Sequence, residues 1–327
     1  MIIITGAAGF IGSAIVWALN KRQNQDLLLV DQLGLDEKWK NLPGLQYADY
    51  IEKDDFITQM IRGEYDQLPI DAIIHMGAIS STTHKDASEL IRNNFNFTKE
   101  LALVAINRDI PFIYASSAAT YGDGSQGYSD NHDQLDTLRP LNAYGFSKHI
   151  FDLWAWRSGF LEHMVGLKFF NVYGPNENHK ADMRSMVCKA YDQICQTGKV
   201  RLFKSDHPDY ADGEQERDFI YIKDAVDMTL FFLDHPEATG IYNIGTGQAN
   251  SWNTLIKPVF HAMGREPNIE YIPMPDHLKS KYQYHTQADT QKIQTAGYTK
   301  TPTPIQKAVQ DYTTNYLIPN QHLADTK

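Results

Sequence analysis

Cysteine is nearly missing: only Cys188 and Cys195 occur in 327 residues. They sit seven positions apart on a predicted helix, without the Cys-x-x-Cys or His spacing of a zinc or redox site. Both read as packing residues, and no metal is expected. Long apolar runs are missing too, since none approaches the ~20 residues that a membrane-crossing helix needs. Positive charge is in deficit. Lys and Arg number 30 against 40 Asp and Glu, for a formal net charge of −10. That balance argues against a nucleic-acid partner, because phosphate backbones are held chiefly by clustered Lys and Arg. Neither an internal repeat nor a low-complexity tract occurs. The first apolar run, Met1 to Ile4, enters a glycine loop at once, leaving no room for a signal peptide and predicting a cytoplasmic address without a membrane partner.

What is present has an ordinary globular texture, with 42% hydrophobic and 21% charged residues. The chain is long enough for a nucleotide domain plus a smaller lobe. Short β-branched runs alternate with amphipathic stretches. Strands are predicted at Ile2–Thr5, Leu27–Asp31, Gln46–Ala48, Ala72–His75, Phe112–Ser116 and Met164–Phe170. Helices are predicted at Ile11–Lys21, Lys53–Ile61, Ser88–Asn107 and Tyr144–Gly159. That order predicts an α/β fold, a Rossmann-like doubly wound parallel sheet with a smaller α/β substrate-binding lobe. The dinucleotide-binding domain should span 1–170, with 217–245 returning to it as a strand and helix. The lobe should take 171–216 and 246–320, leaving 321–327 as a frayed tail.

Gly6-Ala7-Ala8-Gly9-Phe10-Ile11-Gly12 lies between the first strand and the first helix. In that context Gly6, Gly9 and Gly12 permit a tight turn and let backbone N–H groups approach a pyrophosphate at a helix N-terminus. Asp31 ends the second strand about 20 residues on, where a carboxylate meets the adenosine ribose. Lys38 and Lys53 are candidates to attract a 2′-phosphate, which Asp31 would repel, so the choice between NADP and NAD stays open. Asp49, just after the predicted third strand, is expected to meet the adenine.

Tyr144 and Lys148 stand four apart on a helix and therefore share a face. A phenol of pKa ~10 is a poor base at neutral pH, and a neighbouring ammonium favours its phenolate. Ser117, at the end of the strand Tyr114-Ala115-Ser116-Ser117, can hydrogen-bond the same substrate oxygen.

Glycine loop, serine-ended strand and Tyr-x-x-x-Lys occur in the order and spacing of the short-chain dehydrogenase/reductase superfamily. The chain resembles its extended, sugar-nucleotide-modifying branch over nearly the full length, including Asn171-Val172-Tyr173-Gly174-Pro175 and Arg217 to Asp224. The resemblance implies that Arg217 holds a diphosphate. Dehydratases of that branch have an acidic pair before the Tyr-Gly that here is Tyr121-Gly122. Ala118-Ala119-Thr120 stand there instead, which disfavours elimination of water.

ASSAATYG at Ala115 to Gly122, FNVYGP at Phe170 to Pro175, His179-Lys180 and His285 to Asp289 resemble the ADP-L-glycero-D-manno-heptose 6-epimerase family. Ala48-Asp49-Tyr50 and Ser80 to Thr83 match it as well. The resemblance implies Tyr144 and Lys180 as acid/base groups on opposite sides of a carbinol, with Lys148 orienting the cofactor ribose and Ser117 supporting the carbonyl. Asn171 and Tyr282 would line the sugar site, with Asp182, Lys189 and Phe203 also on the substrate. Phe10, Ile11, Gln32, Met76, Gly77, Ala78, Ser80, Asn93 and Val172 would contact the cofactor, expected to be NADP with NAD open.

Family members commonly carry Ser and His at Asp182 and Lys189, Asn at Gln32 and an acid at Met76, and a shorter loop before Arg217. The implied reaction inverts C-6 of an ADP-heptose for lipopolysaccharide core synthesis. A UDP- or GDP-sugar 4-epimerase or ketoreductase would use Tyr144 without Lys180. A non-catalytic NAD(P) sensor would have no use for Tyr144, Lys148 and Ser117. A homo-oligomer is expected, paired through Ser88–Asn107 and Tyr144–Gly159.

Overall fold

The computed structural model describes residues 1–279 and 282–326. Strands β1 (Ile2–Thr5), β2 (Leu27–Asp31), β3 (Asp49–Glu52), β4 (Ala72–His75), β5 (Phe112–Ser117) and β6 (Met164–Phe169) come first. They are interleaved with helices α1 (Phe10–Lys21), α2 (Lys53–Ile61), α3 (Ala87–Leu90), α4 (Phe97–Asn107) and α5 (Ala143–Arg157). Then follow β7 (Asn171–Tyr173), α6 (Met186–Thr197), β8 (Val200–Phe203), β9 (Glu216–Tyr221), α7 (Ile222–Asp234), β10 (Gly240–Ile244), β11 (Ala249–Ser251), α8 (Trp252–Ala262) and β12 (Ile269–Ile272).

The main sheet runs β10-β6-β5-β4-β1-β2-β3, every neighbouring pair parallel. Its inner strands are apolar without alternation because helices cover both faces. All four residues of β1 and all five of β2 are buried. One core cluster includes Ile4, Leu29 and Ile74 with Ile15 and Val226, from α1 and α7. The other joins Ile3, Ile73, Phe112 and Tyr114 to Leu101 and Phe151, from α4 and α5. Each such side chain contributes about 1.5–3 kcal/mol on burial. The strand order reverses between β1 and β4, so a crevice opens at the carboxyl ends of the strands there. Two small sheets, β11-β9-β7 and β12-β8, stand beside it.

Four expectations change. The third strand is Asp49–Glu52 and not Gln46–Ala48. As a sheet edge it has polar residues at both ends and lacks an apolar run. The helix over Ser88–Asn107 is interrupted by a π-turn at Ile91–Asn96, which periodicity alone does not reveal. The strand that starts the 217–245 segment pairs with β7 and β11 outside the main sheet, whereas β10 closes that sheet's edge against β6. Of the expected frayed tail the described part, 321–326, is tied down: Leu323 is fully buried, and Leu323–Asp325 forms a capped turn, while Lys327 lies outside the described residues. No helix of the described residues is long and apolar enough to cross a membrane.

Candidate active site

A cavity of about 800 Å³ lies at the switch point of the sheet, walled on one side by Gly6, Gly9, Phe10, Ile11 and Gly12. A β-carbon on Gly12 would come within 2.1 Å of the Gly6 carbonyl oxygen, so only glycine lets α1 start this close to the loop. The first turn of α1 contains no acidic residue, leaving its N-terminal dipole free to meet an anion. At the end of β2 the Asp31 carboxylate accepts from Ala8 N (2.8 Å), Gln32 N (2.7 Å) and Lys38 Nζ (2.9 Å). Met76, Gly77, Ala78 and Ser80, which follow β4, form the next part of the wall. These residues fit a dinucleotide, with pyrophosphate at the glycine loop and ribose at Asp31.

Tyr144 and Ser117 line the same cavity. They meet because Asn142 caps α5 through Gly145 N (2.8 Å) and because Gly145 lies flat against Ala119, where an added β-carbon would stand 2.7 Å from the carbonyl oxygen. Burial raises the Tyr144 pKa, and the Ser117 hydroxyl opposes that rise. Lys148, one turn further along α5, is buried and pushed down to about 8 by desolvation, against the attraction of Asp152. Asp152 is itself fully buried and accepts from Tyr114 Oη (3.0 Å) and Ser116 Oγ (2.7 Å). It pairs with Lys168 at 3.1 Å.

Lys180 reaches the cavity from the turn Asn178–Met183, its ammonium 5.2 Å from the centre of the Phe10 ring. Desolvation lowers its pKa, while the Glu177 carboxylate acts the other way. Asn171, Val172 and Lys189 also line the cavity. Through Met186, Lys189 and Trp252 it continues into a second cavity of about 570 Å³ that includes Phe203 and Tyr282. Arg217 is buried beside this junction, its guanidinium 5.1 Å from the Tyr282 ring centre and 5.8 Å from that of Trp252. Among the described residues no carboxylate forms an ion pair with it. A buried, unneutralised guanidinium faced by aromatic rings suits a diphosphate.

Other expected positions lie apart from the cavity walls. Asp49 begins β3, opposite Leu28, and so sits at the far end of the sheet from the crevice. Glu52, opposite Asp31, ends the strand on the crevice side, where its carboxylate accepts from Leu33 N at 3.3 Å and Tyr50 Oη at 2.9 Å. Gln32 is exposed. Lys53 and Asn93 meet each other at 2.7 Å, on α2 and the π-turn. Asp182 is exposed, and its carbonyl accepts from Lys189 Nζ at 2.6 Å. Sequence reasoning missed Trp252, whose indole donates to Tyr282 Oη at 2.9 Å. An isolated tryptophan opening a helix carries no signal of its own. Trp154 and Phe160 pack against each other at 5.2 Å, away from the site.

A dinucleotide crevice that opens directly onto a phenol and a half-buried lysine is the layout of a nicotinamide-dependent enzyme acting on a carbinol. The chain belongs to the NAD dependent epimerase/dehydratase family, which it matches over residues 2–245. It is 51% identical to ADP-L-glycero-D-manno-heptose-6-epimerase of Nitratidesulfovibrio vulgaris, over 97% of this chain and 98% of that one. Identity to the Fusobacterium nucleatum protein of the same name is 45%, over 97% and 98%. The crystal structure of the Helicobacter pylori ADP-L-glycero-D-manno-heptose-6-epimerase superposes with a TM-score of 0.77 at 28% identity, covering 95% of this chain and 94% of that one.

Proposed function

We propose that this enzyme inverts C-6 of the heptose in ADP-D-glycero-D-manno-heptose, giving the L-glycero epimer that lipopolysaccharide core synthesis uses. The observation that carries the reading is that Tyr144 and Lys180 line one cavity with the dinucleotide loop. A bound nicotinamide supplies reversible acceptance of hydride from the carbinol carbon. Inversion then needs a proton acceptor and donor for each configuration of the alcohol, which one group serves poorly. Tyr144, favoured as phenolate by Lys148, removes the hydroxyl proton of one epimer while Ser117 hydrogen-bonds the same oxygen. Lys180 serves the other, its ammonium made easier to deprotonate by burial. Arg217 holds the diphosphate, with Tyr282 and Asn171 beside the sugar. The second cavity, with Phe203, takes the nucleoside.

The cofactor in this reading is NADP. Lys38 already neutralises Asp31 at the ribose end of the crevice, which supports this choice because it offsets the repulsion a 2′-phosphate would meet from that carboxylate.

The test is an NMR assay with ADP-D-glycero-D-manno-heptose, run on the wild type, Tyr144→Phe and Lys180→Met. Conversion to the L-glycero epimer that is lost in both variants is expected. A cofactor-loaded wild type that leaves this substrate unchanged would overturn the assignment and direct attention to UDP- and GDP-sugars.

A further inference from the structure

Asn41 ends the short turn Glu37–Asn41 that also carries Lys38, and its side chain is buried. Its Nδ2 donates to two backbone carbonyls, Ala8 O at 2.9 Å and Asn176 O at 3.1 Å. Ala8 belongs to the dinucleotide loop. Asn176 starts the segment that carries Lys180, one turn further on, where Lys180 N donates to Glu177 O at 3.0 Å. One amide thus ties the cofactor loop to the second acid/base group.

With both Nδ2 hydrogens spent on carbonyls, Oδ1 must accept. It lies 2.8 Å from His322 Nδ1, which therefore carries the ring proton. His322 comes from the C-terminal segment. Its own N donates to Asp325 Oδ2 at 2.7 Å, and the next residue, Leu323, is fully buried and donates its N to Asn176 Oδ1 at 2.9 Å. Asn176 completes the link by donating Nδ2 to Ser13 Oγ on α1 at 2.9 Å. Asn176 holds a positive φ of 77° and Ala181 one of 45°. Such backbone persists only where surrounding contacts over-determine it. At Asn176 the C-terminal turn supplies such a contact through Leu323 N.

We propose that Asn41 is a positioning residue that sets the spacing between the dinucleotide loop and Lys180, and that the C-terminal turn, through His322, locks Asn41 in that role. The inference rests on the acid/base role given to Lys180 above. A loose Lys180 segment leaves the Tyr144 side of the reaction intact. One half of the inversion therefore suffers and the other does not, whereas simple destabilisation weakens both.

Asn41→Ala and His322→Ala should lower kcat for epimer conversion on the order of tenfold to a hundredfold, the cost of misplacing a reacting group by about 1 Å. KM should stay near the wild-type value. Reduced nicotinamide, followed by its absorbance, should accumulate during turnover because oxidation at Tyr144 outruns return through Lys180. His322→Asn, whose amide can donate from nearly the position of Nδ1, should restore kcat. Cofactor retained through gel filtration is the parallel readout, since Asn41 also holds the Ala8 carbonyl: Asn41→Ala should release cofactor faster than wild type.

A His322→Ala enzyme with wild-type kcat and no accumulated reduced cofactor overturns the lock. Loss of melting temperature in His322→Ala without the kcat split, unrepaired by His322→Asn, overturns it as well. Failure of the underlying reading looks different. The wild type itself would leave the heptose unchanged, or Lys180→Met would remain active, whereas faster cofactor release from Asn41→Ala would still be seen.

Discussion

Gly145 and the Ala119 carbonyl stand so close that a β-carbon on the glycine would come within 2.7 Å of the oxygen. Both partners are backbone, so neither can swing aside. The contact brings the first turn of α5 against the turn that follows β5, and it sets Tyr144 beside Ser117 in the cavity. Gly145→Ala must push α5 away. The expected result is a kcat lower by roughly 10²-fold, the cost of about 1 Å of misplacement, with the bound nicotinamide retained. Steady-state kinetics together with the cofactor content of the purified variant check this. Wild-type turnover would mean that Tyr144 does not depend on this approach.

The Lys38 ammonium, 2.9 Å from Asp31 and partly buried, stands at the ribose end of the crevice in this reading. If it meets a 2′-phosphate, Lys38→Ala removes a charge-assisted bond of on the order of 1.5–3 kcal/mol, roughly ten- to hundredfold in affinity. NADP binding should weaken by that factor, and NAD binding should barely change or improve as Asp31 is freed for the ribose hydroxyls. Titration of the apoenzyme by fluorescence with each cofactor decides it. Equal weakening for both would reduce Lys38 to a structural partner of Asp31.

Asp152 and Lys168 form an ion pair in which both side chains are fully buried. The Lys168 ammonium also donates to Thr120 Oγ1 at 2.5 Å, and Asp152 accepts from Tyr114 and Ser116. Removing one partner of such a pair strands the other charge, at a typical cost of about 3–5 kcal/mol. Asp152→Ala should therefore unfold at a much lower urea concentration than wild type. The double variant Asp152→Leu with Lys168→Met, which strands neither charge, should recover part of the loss. A loss in the double variant as large as the sum of those of Asp152→Leu and Lys168→Met measured singly would show that the pair is not coupled.

The sequence exposed the parts of the fold that obey one local rule. Fully buried runs such as Ile2–Thr5 and Leu27–Asp31 announce a two-sided parallel sheet, and the glycine loop between strand and helix announces the crevice. It concealed what depends on neighbours. β3 lies at an edge with a half-polar sequence, so nothing local marks its bounds: it starts three residues later than the pattern suggests, and Asp49 opens the strand where it is expected to follow it. The π-turn at Ile91–Asn96 is held by tertiary bonds: Asn94 Oδ1 accepts from Ile79 N at 2.8 Å, and its Nδ2 donates to Ser147 Oγ at 3.0 Å. Helical periodicity is silent about both. The C-terminal turn looked frayed because polar residues near a chain end usually are. Nothing local says that His322 faces Asn41 across 281 positions of chain. Lys180 is the intermediate case, since its spacing to Tyr144 has no periodic meaning and only a resemblance of motifs singled it out.

Lys148 makes a prediction about pH. Burial pulls its pKa down from the ordinary lysine value of 10.5 to about 8, while burial raises that of Tyr144. Below about 8 the ammonium is present and favours the Tyr144 phenolate. As pH rises through that value the lysine loses its charge, and the tyrosine, deprived of it, holds its proton more firmly. Turnover should therefore fall on the alkaline side, with a midpoint near the Lys148 value. Lys148→Arg keeps the positive charge well above that range, because a guanidinium titrates only above about 12. Whatever its absolute rate, the variant should show no alkaline fall, with the acid limb unchanged. The check is kcat measured from about pH 6 to about pH 10 for both enzymes. An identical alkaline limb in the two would assign the fall to another group, and a wild-type rate that keeps rising to the top of that range would remove Lys148 from the control of Tyr144 altogether.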